Sequence, residues 1–205
     1  MNLHKLKEAE AIFLQRFPGG FDDPDLEKIR KTHNVGRIEK FAQAQLTRLR
    51  LNQPAGVCDD ALRIISRSSM VSRFEKPAFR TFIESLNSDD KARFAAAIET
   101  RLYGRARHKG FEEMCAMLAP FKLAKWSIVS AIPFYFAPTR EAFVKPTTAK
   151  RIVAYLEVPD LEYRPSPTWA FYNGYRKLLQ EVKRNVSPSL SPNYAAMTGF
   201  LMMSI

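Results

Sequence analysis

The apolar residues of this chain recur at intervals of three and four and nowhere alternate over a useful length, which restricts it to helices. Leu3, Leu6, Phe13 and Phe17 begin the pattern, and Ile38, Phe41, Ala42, Leu46 and Leu49 mark a second face. Ala61, Leu62, Ile64 and Ile65 continue it, as do Phe94, Ala97, Ile98 and Leu102. There is no Asn-Gly hairpin signal, and the one place where a short strand competes is Trp126 to Val129.

Prolines, glycines and capping residues divide this pattern. Phe17-Pro18-Gly19-Gly20 stops the first helix. Asp22 or Asp23 then caps a short helix with Pro24 in its first turn, running to about His33, and Asn34 and Gly36 form the break. Asn52 to Gly56 reads as a loop, with Asp59 and Asp60 opening the next helix and a break near Ser68-Ser69. Pro77 opens a helix to Leu86, Ser88-Asp89-Asp90 opens one ended by Gly104, and Phe111 to Leu118 is ended by Pro120. Beyond Phe121 prolines recur. Thr147-Thr148 leads a helix to near Val158, Thr168 leads one to about Val186, and Ser191-Pro192 leads the last, Asn193 to Ser204. The expected fold is all-α, a multi-helix globular bundle of short helices with proline-marked corners. One domain over 1–205 and two subdomains joined near residue 120 are both compatible with this texture.

Hydrophobic residues make up 46% of the chain, too many for global disorder and enough to bury a core without disulfides or metals. Cys58 and Cys115 stand alone, which points to a reducing compartment, the cytoplasm. The longest apolar stretch, Trp126 to Ala137, falls short of the roughly 20 residues a membrane span needs and reads as core. The start of the chain leads into an amphipathic pattern and has no apolar signal core.

The formal net charge is +11, which suggests a polyanion partner, DNA or RNA, or an anionic membrane surface. The excess is uneven: residues 1–60 carry +1, 61–110 carry +6, 111–120 carry −2 and 121–205 carry +6. Its densest run is Arg101, Arg105, Arg107, His108 and Lys109. Those cations either complement the C-terminal dipole of the helix ending at Gly104 or contact phosphates.

Two other segments are candidate contacts. Lys145-Pro146-Thr147-Thr148, followed by Lys150 and Arg151, sets basic side chains around a helix start, where free N–H groups attract phosphate or carboxylate. It lacks the glycine-rich loop of a P-loop, and a capped helix with solvated lysines explains it equally. Trp169, Tyr172, Tyr175 and Arg176 form a helical stripe edged by Lys177. Such a stripe stacks single-stranded bases or belongs to the core. Asp22-Asp23-Pro24-Asp25 lacks calcium-loop spacing and reads as capping. His4, His33 and His108 have no sequence-near catalytic partner, and Cys58 reads as an inert thiol. Nothing calls for a metal or another cofactor, and no hydrolase, zinc or dinucleotide motif occurs.

The C-terminal run, Ala195 to Ile205, is apolar and should be core or an interface with a second copy. From Ala119-Pro120 onward the chain resembles a group of uncharacterised bacterial proteins, on Phe143-Val144-Lys145-Pro146-Thr147 and Thr198-Gly199-Phe200-Leu201-Met202-Met203. That resemblance implies no activity, cofactor or catalytic residue. A helix-hairpin-helix DNA glycosylase would also be helical and basic, but the chain lacks that family's leucine-proline-glycine hairpin and its spaced catalytic lysine or aspartate. The expected function is non-enzymatic nucleic-acid binding. The alternatives are a protein-interaction module or homodimer using residues 195–205, and an enzyme acting on a phosphorylated small molecule at Lys145, Lys150 and Arg151.

Overall fold

A computed structural model describes residues 1–205 and contains only helices and connections, with no strand. The eleven α-helices are α1 (Leu3–Arg16), α2 (Glu27–His33), α3 (Val35–Gln45), α4 (Pro54–Arg67), α5 (Glu75–Ser85), α6 (Ser88–Tyr103), α7 (Arg107–Leu118), α8 (Trp126–Phe136), α9 (Pro146–Tyr155), α10 (Trp169–Asn185) and α11 (Tyr194–Ser204).

Short polar side chains set many of the boundaries. The Asn2 carboxamide accepts from Lys5 N at 3.1 Å and starts α1. The Asp23 carboxylate accepts from Asp25 N and Gly19 N, both at 3.1 Å, so the acidic cluster is a cap. Asn34 has φ 42° and parts α2 from α3, a left-handed conformation that asparagine tolerates. Thr168 and Asn193 cap α10 and α11.

Three expectations need correction. Asn52 to Gly56 is not wholly a loop, because α4 begins at Pro54, whose missing N–H suits a first turn. Asp59 and Asp60 therefore lie inside that helix, and Asp60 is buried between Arg50 and Arg63. Trp126 to Val129 opens α8 and is not a strand. Finally, α7 begins at Arg107, so Arg107, His108 and Lys109 occupy the positive end of a helix, where its dipole does not stabilise them.

The innermost element is α8, buried from Ile128 to Tyr135 and packed against α3, α4, α6 and α7. α6 and α7 form a tight hairpin around Gly110, where a Cβ would meet Arg101 N at 2.5 Å. α11 lies on α1, α9 and α10. Its Phe200 ring meets Phe13 at 5.8 Å, and Met197 and Leu201 are buried beside it. The core is one cluster of 57 residues running from Leu6 to Leu201, continuous across residue 120. No helix is long and apolar enough to cross a membrane.

Candidate anion-binding cleft

Three helix starts meet around one open cleft. The first is set by Ser68, whose buried hydroxyl hydrogen-bonds the Tyr135 hydroxyl at 2.9 Å. The same oxygen accepts from Met70 N and Val71 N at 3.1 and 3.2 Å, fixing the turn that leads to α5. The start of α8 is tied to α5 through Glu75, which accepts from the Ser127 hydroxyl at 2.7 Å and pairs with Lys125 at 3.5 Å. The start of α9 is placed by buried Ser130, which donates to Trp126 O at 2.6 Å and accepts from Val144 N at 2.9 Å. That bond holds Lys145 at the head of α9. Trp126 Nε1 donates to Arg164 O at 2.8 Å and brings Pro165 to the rim.

The cleft encloses 660 Å³ and is lined by Arg73, Lys76, Lys125 and Lys145, with the hydroxyls of Ser69, Ser72 and Ser127. Glu75 is its one carboxylate and is already engaged by Lys125. Arg73, Lys76 and Lys145 lie within ion-pairing distance of no carboxylate. None of the three helices has a side-chain N-cap bond. Three cations without carboxylate partners thus share one space with the uncapped start of α8.

His33 stands at the edge of this cleft, with Nδ1 2.8 Å from the Ser69 hydroxyl oxygen. Burial, and then the charge of Lys145, hold its pKa below the ordinary value of 6.5. The imidazole is therefore neutral at neutral pH, and the pair is an uncharged histidine on a serine hydroxyl.

The basic helix start expected at 145–151 divides. Lys145 enters the cleft, while Lys150 lines a separate hollow that also holds Glu157 and Glu162. Arg151 donates to the main-chain oxygen of Ile205 at 2.9 Å. Thr147 is exposed and Thr148 partly buried, and neither lines the cleft.

The expected nucleic-acid contacts also divide. Arg101 is 1% exposed and cannot reach an external partner; it binds Glu141 through Nη2 at 2.8 Å. Tyr172 is equally buried and donates to Glu141 at 2.8 Å. Trp169 is half-buried over the Arg101 guanidinium, 5.4 Å from ring centre to carbon. Arg107 reaches Glu141 at 3.4 Å from a half-exposed position, and Arg176 donates to the Asn173 carboxamide oxygen at 3.2 Å. Arg105, Lys109 and Lys177 remain exposed. Burial alone would raise the pKa of Glu141, but the Arg101 charge and the hydrogen bonds from Arg101 and Tyr172 hold it below the usual carboxylate value.

Arg73, Lys76, Lys125 and the His33–Ser69 pair escaped the sequence reading. The available signal was the serine-rich break Ser66 to Ser72 running directly into Arg73 and Lys76. Burial pushes the Cys58 thiol up to about 11 and the Cys115 thiol up to about 12, so both are protonated and unreactive. No group of three or more His, Cys, Asp or Glu side chains is placed to hold a metal ion.

Comparison with protein-family models, with curated proteins and with solved structures finds no match to this chain.

Proposed function

We propose that this protein binds nucleic acid, holding its phosphates in the cleft between the starts of α5, α8 and α9. The observation that carries this reading is the set of four cations facing one engaged carboxylate in a single open cleft. Phosphate binding there releases counterions, so affinity falls steeply with salt. Labelled single- and double-stranded DNA and RNA, titrated over a range of salt concentrations, test it. Each of Arg73→Ala, Lys76→Ala and Lys145→Ala is expected to weaken binding and flatten the salt slope by about 0.7–0.9. Salt-insensitive binding, or a triple variant that binds as the wild type does, would sink the reading.

A second reading keeps the cleft and changes its occupant to a phosphorylated small molecule. The His33–Ser69 pair favours it, because a neutral imidazole on a hydroxyl is the arrangement of a base and a nucleophile. It predicts saturable one-to-one binding of small phosphate esters, with turnover abolished by Ser69→Ala. An interaction module built on residues 195–205 loses its motive, since α11 buries Tyr194, Met197, Phe200 and Leu201 in its own chain.

A further inference from the structure

Of the aromatic side chains, only Phe74 and Phe121 are exposed, and they differ in kind. Phe121 is 40% exposed and packs edge-on against Phe82 at 5.1 Å. Phe74 is 75% exposed and meets no other ring. Its one ring partner is the Arg73 guanidinium, 4.8 Å from the ring centre.

The phenyl group stands on a fixed mount outside the cleft lining and is linked to the cleft by Arg73, which lines it and stacks on the ring. Phe74 N donates to the Ser72 hydroxyl at 3.3 Å, and Glu75 N and Lys76 N donate to Ser72 O at 3.0 and 3.3 Å. One step back, the turn is anchored by buried Ser68 and by Val71, which is itself buried. The neighbours of Phe74 on both sides, Arg73, Glu75 and Lys76, line the cleft. A flat apolar face is thereby held against Arg73, a cleft cation that lacks a carboxylate partner.

An isolated exposed phenyl stacked on a cleft cation matches a ligand that pairs a π-face with phosphate. Bases within a duplex have both faces covered by neighbouring bases. An unpaired base offers its face, and stacking accepts any base. Arg73 over the ring adds its charge next to the adjoining phosphate.

We propose that Phe74 is a stacking platform for an unpaired base whose flanking phosphates lie in the cleft, so that the protein prefers single-stranded nucleic acid to duplex. This rests on the cleft being a phosphate site, and the test separates the two. Fluorescence anisotropy at low salt would compare a labelled single-stranded oligothymidine with a duplex of equal length. F74A is expected to weaken single-strand binding by roughly 5- to 100-fold while leaving duplex binding and the salt slope unchanged. F74W should retain the affinity and gain an indole emission that the oligonucleotide quenches. L49A, at an equally open position (85% exposed) away from the cleft, should bind as the wild type does.

Wild-type single-strand affinity in F74A would overturn the platform. If K76A and K145A still weakened binding, the cleft reading would stand without it. An equal loss in L49A would mark a nonspecific apolar effect and overturn it too. Equal affinity for a free mononucleotide and the oligonucleotide would assign the ring to a small ligand and overturn the strand preference. A wild-type protein that binds neither strand form would remove the platform and the cleft reading together.

Discussion

Glu141 is the side chain on which the buried charge of Arg101 depends. It receives Arg101 and Tyr172 inside the core and Arg107 at the edge. Glu141→Gln leaves the Arg101 guanidinium buried without its counter-charge, and is expected to cost about 3–5 kcal/mol in urea unfolding. The folded pKa of Glu141 is depressed, so its contribution is present above the ordinary value of 4.5 and is lost as pH falls through the folded value. Acid unfolding of the Gln variant should therefore lose its steep segment below about pH 4.5. His33 works with the opposite sign of charge. Its folded pKa is lowered, so the unfolded chain takes a proton first and stability declines as pH falls below 6.5. An anion beside Lys145 would offset that cation and favour the imidazolium. Phosphate-ester binding should then take up a proton below the ordinary histidine value of 6.5, read by calorimetry in buffers of different ionisation enthalpy. His33→Gln should abolish the uptake, and an unchanged uptake would refute the link between His33 and the cleft.

Helices here are positioned by small residues as much as by large ones. α6 and α7 approach closely because Gly110 has no side chain; its Cβ would lie 2.5 Å from Arg101 N and 2.6 Å from Ala97 O. Both are backbone atoms and cannot swing aside, so Gly110→Ala must push the two helices apart. A loss of about 1–3 kcal/mol, or more, is expected from the thermal midpoint. Gly36, near the start of α3, has nothing within 4 Å of its Cβ position. Gly36→Ala should accordingly stabilise the protein by up to about 1 kcal/mol. The same contrast limits what the chain's own sequence reveals. The capped start at Thr168 was legible because the capping side chain is close in the chain to the N–H it satisfies, whereas the last helix is capped by Asn193 and not led by Ser191-Pro192. The starts of α4 and α7 were not legible, because Gln53 and Ala106 make no side-chain cap bond. There, packing carried the helix past the apparent loop.

Across the molecule, a continuous core joins the two halves on either side of residue 120. The aromatic contacts of Phe13 with Phe17, Phe21 and Phe200 tie α1 to α11. Deleting residues 195–205 would uncover Phe13 and remove buried Met197, Phe200 and Leu201. The expected result is loss of cooperative thermal unfolding by circular dichroism. A truncated chain that keeps its fold and changes only its mass in solution would restore the interface reading. The candidate cleft likewise exists only at this scale, since it draws on residues 69–76, 125–127 and 145–146.

The helical class, most helix boundaries and the excess of positive charge follow from the amino-acid order, because helical period, capping and net charge are local or additive. It also marked Trp126 to Ala137 as core. Which cations are free depends on how the helices pack. Arg101 is the strongest case: it lies in the densest basic run, yet Glu141, 40 positions away, neutralises it inside the core. Arg73 and Lys76 look ordinary in the chain and become part of a site because folding brings them to Lys145 without carboxylate partners. Coulomb energy depends on separation in space, and separation along the chain does not report it.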